Sequence, residues 1–319
     1  LGSRAGRGAA VSAPAREMTI TVGLVRHLLE TQTPQFAGEE LAIVAEGWDN
    51  VLVRVGHAHV ARLPRRAVAV PLIEHEQRWL PVLAPLLPVS VPAPVALGEP
   101  SSAFPHPWHV SPWLDGVRSS RARGGEDRGV DLARVFAALH VAAPADAPRN
   151  AVRAVPLAQR TDVVRERLAR GGLTHLADVW ESGRAATPWI GAATWVHGDP
   201  HPGNALIDPA SGRLTALLDF GDLSAGDPAC DLAAAWLHCD ATGRAAFRAT
   251  YDAITSVQDE GRWQRAAAWA LSMASSVVVD APGDADNEGW AREALAALAC
   301  LLAWSPFSAA GLGQRHEPV

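Results

Sequence analysis

The sequence contains no lysine; all 28 of its basic side chains are arginine. Schiff-base catalysis on a lysine amine is therefore excluded, as is a P-loop lysine reaching nucleotide phosphates. A surplus of positive charge is missing too, because 34 carboxylates leave the chain at a net charge of −6. Such a chain has no cationic field to gather nucleic-acid phosphates, so no nucleic-acid partner is expected. Cysteine is scarce. Cys230, Cys239 and Cys300 show no paired CxxC spacing, and an odd, sparse count fits a reducing compartment, here taken as the cytoplasm. Long apolar runs are absent as well, each being broken by proline or charge, so no membrane partner is expected. Residues 1–17 are rich in Gly, Ala, Ser and Arg and lack the apolar stretch of a signal peptide. Met18 is the expected natural start. Residues 1–17 are treated as an N-terminal extension, disordered or added to the natural chain, and stand outside the fold reasoning.

What is present is enough apolar material for a large core: 48% hydrophobic residues, including 12 Trp, over 319 residues. The first half reads as strand-rich. Val22–Thr31 has helical spacing behind a Thr21 N-cap. Leu41–Ala45, Val51–Val55 and His59–Leu63 read as strands, with turn chemistry at Gly47-Trp48-Asp49-Asn50. Val68–Leu80 reads as a helix that tolerates Pro71 in its first turn. Val95–Gly98 and Trp108–Val110 read as two further strands. The second half is mostly helical: Val130–Val141, Ala158–Ala169, Leu232–His238, Trp263–Val278 and Trp290–Leu302 carry apolar faces at period 3.6. Ala205–Ile207 and Leu214–Leu218, joined by Pro209–Gly212, read as a hairpin, and Arg118–Arg128 as a polar, mobile loop. The organisation is a two-lobed α+β fold, with an N-lobe over 18–113 and a C-lobe over 114–319. No internal repeat is present.

The chemistry concentrates in His197-Gly198-Asp199-Pro200-His201-Pro202-Gly203-Asn204, followed by Asp219-Phe220-Gly221. A hairpin that brings Asn204 beside Asp219 supplies two oxygen ligands of the kind Mg²⁺ prefers, leaving Asp199 free to face a substrate hydroxyl as base. That is the division of labour of phosphoryl transfer. The spacing H-x-D-x-x-x-x-N with D-F-G downstream is the kinase catalytic-loop pattern, with Gly in the place of Arg.

Residues 195–236, WVHGDPHPGNALID through LTALLDFGDLSAGDPACDLAAAW, resemble the catalytic segment of the aminoglycoside phosphotransferase family, a branch of the protein-kinase-like fold. The resemblance extends more weakly through GWDNVLVRVG, HVARLPRR, the E-x-x-x-L of Glu76–Leu80 and Ala138-Leu139-His140, from about residue 20 to about residue 305. It implies an N-lobe antiparallel sheet with helices and a larger, mostly helical C-lobe. It further implies Mg²⁺-dependent transfer of the γ-phosphate of ATP or GTP to a hydroxyl of a small-molecule antibiotic, first of all an aminoglycoside, as a resistance kinase. Other acceptors left open are a macrolide, a peptide antibiotic, or a metabolite such as choline or homoserine. The oligomeric state is not implied.

By the same resemblance Asp199 is the catalytic base or hydroxyl-orienting residue and His197 braces its loop. Asn204 and Asp219 hold Mg²⁺. Asp227 anchors the loop through backbone N–H groups, and Asp231 is structural. Where the family carries a lysine on the third strand, this chain has Arg62, with Glu76 its first expected partner and Glu74 its second. A guanidinium can hold two phosphate oxygens, although a strand arginine also reads as a solvated edge residue. Trp48, Asp49 and Asn50 stand where the family has a glycine-rich loop. The purine is expected against Ser111 to Trp113.

Competing readings use the same residues. His197, Asp199, His201 and His238 give a metallohydrolase, and the missing lysine gives a ligand-binding pseudokinase. Asp252, Asp259, Glu260, Asp280, Asp284, Asp286, Glu288 and Glu293 read either as a patch that attracts a polycation or as a solvated helix surface. Trp263, Trp269 and Trp290 read as core first and cleft second. The three cysteines are expected to be buried.

Overall fold

The computed structural model describes residues 17–303, apart from 48, 122–123, 256–258 and 284. The chain opens with α1 (Val22–Gln32), capped as expected by the Thr21 hydroxyl, which accepts from the Leu24 N–H at 3.1 Å. Strands β1 (Leu41–Glu46), β2 (Asn50–Val55), β3 (His59–Pro64), β4 (Ala96–Gly98) and β5 (Trp108–Pro112) form one antiparallel sheet in the order β1-β2-β3-β5-β4. Alternation of side chains along a strand decides what faces the active cleft. Val51, Val53, Val55, Ala61 and Leu63 enter a core shared with Val25, Leu28 and Leu29 of α1. The opposite face carries Leu52, Val60, Arg62, His109 and Ser111, held side by side by the pairings Leu52↔Arg62, Arg62↔His109 and Val60↔Ser111. Helix α2 (Val70–Leu83) buries Glu76 toward this face, while its Trp79, Leu80 and Leu83 join the larger core of the second half.

That second half contains β6 (Val117–Arg118), α3 (Glu126–Leu139), α4 (Thr161–Arg170), α5 (Ala177–Ala185), β7 (Thr194–Val196), β8 (Ala205–Ile207), β9 (Leu214–Leu217) and β10 (Ser224–Gly226). It continues with α6 (Ala229–Leu232), α7 (Ala234–His238), α8 (Ala241–Thr255), α9 (Arg262–Asp280) and α10 (Ala285–Ala303). The hairpin is β8–β9, with β6 paired on the free edge of β8. Its tight turn is folded by Asp208, whose carboxylate accepts from Ala210 and Ser211.

Several expectations change. Helices α5 and α8 were not among the helices expected from the sequence. The buried face of α8 is Gly243, Phe247 and Tyr251, and it lies so close to α3 that a Cβ on Gly129 would stand 2.1 Å from the Gly243 carbonyl oxygen, and one on Gly243 2.6 Å from the Gly124 carbonyl oxygen. The helix expected at Leu232–His238 starts earlier and is split at Ala233. The stretch Arg118–Arg128, expected as a mobile loop, ends β6, makes a 3₁₀ turn at Ser119–Arg121 and enters α3 at Glu126. Arg128 fixes it by donating to the Ser119 hydroxyl at 2.6 Å and the Gly212 carbonyl at 3.1 Å. Cys230 and Cys239 are buried, whereas Cys300 is exposed. Among the described residues no helix is long and apolar enough to cross a membrane.

Candidate active site

The site begins where β7 ends. Buried Asp231 accepts from the backbone N–H of His197 at 2.7 Å and of Gly198 at 2.9 Å. Gly198 sits at φ +89°, and a Cβ there would stand 2.5 Å from the Asp222 carbonyl oxygen, so this turn requires glycine. His197 is fully buried. Its Nδ1 accepts from the Asp199 N–H at 3.2 Å, which leaves Nε2 to donate to the Leu218 carbonyl at 2.9 Å. His197 thereby ties the Asp199 loop to the residue preceding Asp219. Anchoring of the loop by backbone N–H groups falls to Asp231, whereas Asp227 had been the expected anchor. Asp227 accepts from Ala229 within its own turn and from Arg265.

Both oxygens of Asp199 are already engaged. Oδ1 takes Arg153 Nη2 at 3.0 Å, and Oδ2 takes Asn204 Nδ2 at 3.2 Å and faces His201 Nε2 at 3.4 Å. Burial alone would raise the Asp199 carboxyl, but the attraction of His201 and then of Arg153 outweighs it and holds the group well below the usual carboxylate range. Asn204 is drawn toward Asp219 by the hairpin, where the Leu218 N–H donates to the Asn204 carbonyl at 2.8 Å. Asp219 is a non-glycine residue at φ +58°, a strained backbone of the kind that collects at working sites.

Arg62 and Glu76 meet as expected, Nε to Oε2 at 3.2 Å, and Glu74 takes no part in the pair. Arg62 also reaches Asp219 Oδ1 through Nη2 at 2.8 Å, so it spans the two sides of the cleft. Arg62, ahead of all other causes, holds the Asp219 carboxyl below its usual value. Burial pushes the Glu76 carboxyl up to about 7 against the pull of Arg62. His109, 3.8 Å from Glu76, is pushed down to about 3, by burial first and by Arg62 second.

These groups line a cleft of about 470 Å³ with Val44, Leu52, Val60, Ser111, Trp113 and Leu206. The Ser111 hydroxyl donates to the Pro92 carbonyl at 2.9 Å. Trp113 lines the cleft, but its backbone N–H is spent on the Ala58 carbonyl at 2.8 Å, so that group is not free for a purine. The Arg54 guanidinium lies 3.8 Å from the centre of the Trp113 ring. An adjoining recess is lined by Gly47, Asp49, Asn50, Asp199, His201, Asp219 and Asp222. Asp49 pairs with Arg66 at 3.0 Å. The buried Asn50 Oδ1 has no hydrogen-bond partner. Trp48 lies outside the described residues.

The remaining expectations separate clearly. His197 and His238 each have both ring nitrogens engaged, His238 by the Pro200 carbonyl and Ser119. The metallohydrolase arrangement is therefore not formed, and no group of three or more His, Cys, Asp or Glu suited to a metal occurs among the described residues. Half of the acidic patch is paired with arginines: Asp252 with Arg262, Asp259 with Arg265, Asp280 with Arg167 and Arg170, and Glu288 with Arg292. Asp284 lies outside the described residues. Trp269 and Trp290 are both core, and Trp290 also stacks on His201 of the Asp199 loop at 5.5 Å with planes 9° apart.

No motif pointed to Arg153, which bridges Asp199 and Asp222. Asn150 builds its loop, accepting from the Val152 and Arg153 N–H groups and donating to Asp222 at 2.7 Å. An Asn three residues before an Arg was the only signal, and a weak one. Arg118, which lines both recesses, was equally silent.

Fold and site together define a two-lobed, protein-kinase-like phosphotransferase for small molecules. Residues 40–269 match the phosphotransferase enzyme family, and the chain belongs to that family. Among solved structures, the GDP complex of aminoglycoside 2'-phosphotransferase-IIIa is 18% identical, covers 87% of this chain and 98% of its own, and superposes with a TM-score of 0.62. A macrolide 2'-phosphotransferase of Brachybacterium faecium, as apoenzyme, is 22% identical over 85% of this chain and 97% of its own, with a TM-score of 0.55. The streptomycin–ATP ternary complex of APH(2")-IIa is 17% identical over 86% and 99%, with a TM-score of 0.55. Among curated proteins, none matches this sequence.

Proposed function

We propose that the chain transfers the γ-phosphoryl group of ATP or GTP to a hydroxyl of an antibiotic, in the cytoplasm, with residues 18–113 holding the nucleotide and 114–319 the catalytic loop and acceptor. The observation that carries this reading is the convergence of Asp199, Asn204 and Asp219 on one wall of a cleft whose other wall is the Arg62–Glu76 pair. The acceptor hydroxyl lies against Asp199. As its oxygen bonds to the γ-phosphorus, the bond to the bridging oxygen breaks, the nucleoside diphosphate leaves, and the hydroxyl proton passes to the carboxylate. Because Asp199 already accepts from Arg153 and Asn204, it is a weak base that orients the hydroxyl and takes the proton late.

The donor set fits Mg²⁺. Asn204 presents its amide nitrogen to Asp199, which turns its carbonyl oxygen the other way, and Asp219 offers a half-exposed carboxylate. Two hard oxygen ligands with the rest supplied by water and phosphate is the usual Mg²⁺ pattern. Asn204 and Asp219 would hold the ion, which would supply positive charge against the transferring phosphate.

The acceptor class follows the relatives, an aminoglycoside first. A macrolide is the second reading, favoured by the pairing of Asp252, Asp259, Asp280 and Glu288 with arginines, which removes much of the field that would attract a polycation. Incubating both classes with ATP or GTP should add the mass of one phosphoryl group to one class. Asp199→Asn should lower kcat by about 10²–10⁴-fold. No mass gain in any acceptor, or full turnover in the variant, refutes the reading.

A further inference from the structure

A polyphosphate needs positive charge around it, and this chain has no lysine to give. The arginine in the expected place is heavily committed. Arg62 lies between Glu76 and Asp219, one guanidinium against two carboxylates, so that cluster has no positive surplus for a phosphate even when Glu76 is protonated. Arg153 is shared in the same way by Asp199 and Asp222, and Arg66 is paired with Asp49.

Arg118 is different. It lines both the nucleotide cleft and the adjoining recess that holds Asp199. Among the described residues its one side-chain hydrogen bond is from Nη1 to the Gly203 carbonyl at 2.8 Å, and it makes no ion pair with a carboxylate. Its position is set by backbone. Gly116, at φ +146°, turns the chain so closely over β8 that a Cβ would stand 3.0 Å from the Ile207 carbonyl oxygen. The ladder Val117↔Ile207 and Arg118↔Leu206 then fixes the register. One arm of the guanidinium is thus pinned one residue before Asn204, and its remaining N–H groups stay available beside Asn204 and Asp219. A guanidinium offers five donors in a fixed fork that matches phosphate oxygens.

We propose that Arg118 is a second contact for the nucleotide polyphosphate, supplied from the helical half, and that it carries the electrostatic share that Arg62 spends on Glu76 and Asp219. The proposal rests on the phosphotransferase reading above, and its ligand is a nucleoside triphosphate or diphosphate.

The test is direct binding by titration calorimetry without acceptor, using the full chain as wild type, Arg118→Gln and Arg118→Lys, with ATP, GTP and the corresponding unphosphorylated nucleosides. Arg118→Gln should bind the triphosphate about 10- to 100-fold more weakly, the span expected for a lost charge-assisted hydrogen bond. Nucleoside affinity should stay unchanged, Arg118→Lys should recover part of the loss, and the gap should narrow as salt rises. Equal triphosphate affinity in wild type and Arg118→Gln overturns the proposal, as does an equal loss for nucleoside and triphosphate, or a change confined to the acceptor KM. Wild type that binds no nucleotide at all overturns the phosphotransferase reading itself, a result separate from failure at Arg118.

Discussion

Removing the Asp231 carboxylate should cost both stability and turnover while sparing nucleotide binding. The side chain is fully buried and accepts three hydrogen bonds: from His197 N at 2.7 Å, Gly198 N at 2.9 Å and His140 Nε2 at 3.1 Å. Asp231→Ala leaves the pair of backbone N–H groups without acceptors and strips His140 Nε2 of its partner, His140 keeping Tyr251 at 2.7 Å only through Nδ1. Each orphaned buried donor costs about 1–3 kcal/mol, so the pair costs on the order of 2–6 kcal/mol. At roughly 2–4 °C per kcal/mol for a chain of this class, the melting temperature should fall by about 5–20 °C. The loss reaches catalysis because Asp199 follows the clamped Gly198 directly and rests on His197 through its own N–H. Scanning calorimetry, steady-state kinetics and nucleotide titration together should give a lower melting point, a lower kcat and an unchanged nucleotide Kd, since Arg62, Glu76 and Ser111 lie on other elements. Asp231→Asn should fall between, one N–H meeting its oxygen and the other opposing its NH₂ group. A variant that melts within about 1 kcal/mol of wild type and turns over normally would show that the clamp holds nothing.

Arg153→Met removes the 3.0 Å partner of Asp199; kcat should drop by about 10- to 100-fold through loss of a charge-assisted contact, with partial recovery on adding free guanidinium, and an unchanged kcat sinks the idea. Glu76 sets a pH dependence of stability. Its carboxyl is raised from the ordinary 4.5 to about 7 by burial, so its contribution is fully present below 4.5 and is lost as pH climbs through 7, on the order of 3 kcal/mol. Asp199 and Asp219 act oppositely, their depressed values giving stability that fades only in acid. Melting temperatures of wild type and Glu76→Gln should diverge between pH 4.5 and 7, the variant losing less, and a pH-independent gap would contradict this.

The Asp199 loop was legible because its residues are close in sequence. Asp199 and Asn204 share one loop, and a single hairpin carries the chain back, with Leu218 bonded to Asn204, to deliver Asp219. The pairing of Arg62 with Glu76 was legible from a strand followed by a helix. Arg153 was hidden because its aim depends on an Asn150 turn and a positive φ at Ala154 (+53°), and neither leaves a periodic mark. The acidic patch misled for a related reason. Asp280 on α9 is neutralised by Arg167 and Arg170 on α4, more than a hundred residues away, and a linear charge count cannot see such partners. Trp290 reached the catalytic loop by the same kind of long-range packing.

The absence of lysine has a structural consequence that composition alone conceals. A lysine ammonium is a compact point charge, whereas the guanidinium fork can satisfy two carboxylates at once. The chain uses that capacity repeatedly. Arg62 joins Glu76 to Asp219, Arg153 joins Asp199 to Asp222, and buried Arg265 joins Asp227 to Asp259. Each bridge ties together segments distant in sequence, and two of the three pass through the cleft. A guanidinium locked between two carboxylates has little left for a ligand, so the bridges that stiffen the site also commit its nearest cations. On the phosphotransferase reading proposed above, positive charge for the nucleotide would come from a bound cation and from an arginine with no carboxylate partner, and Arg118 meets that condition.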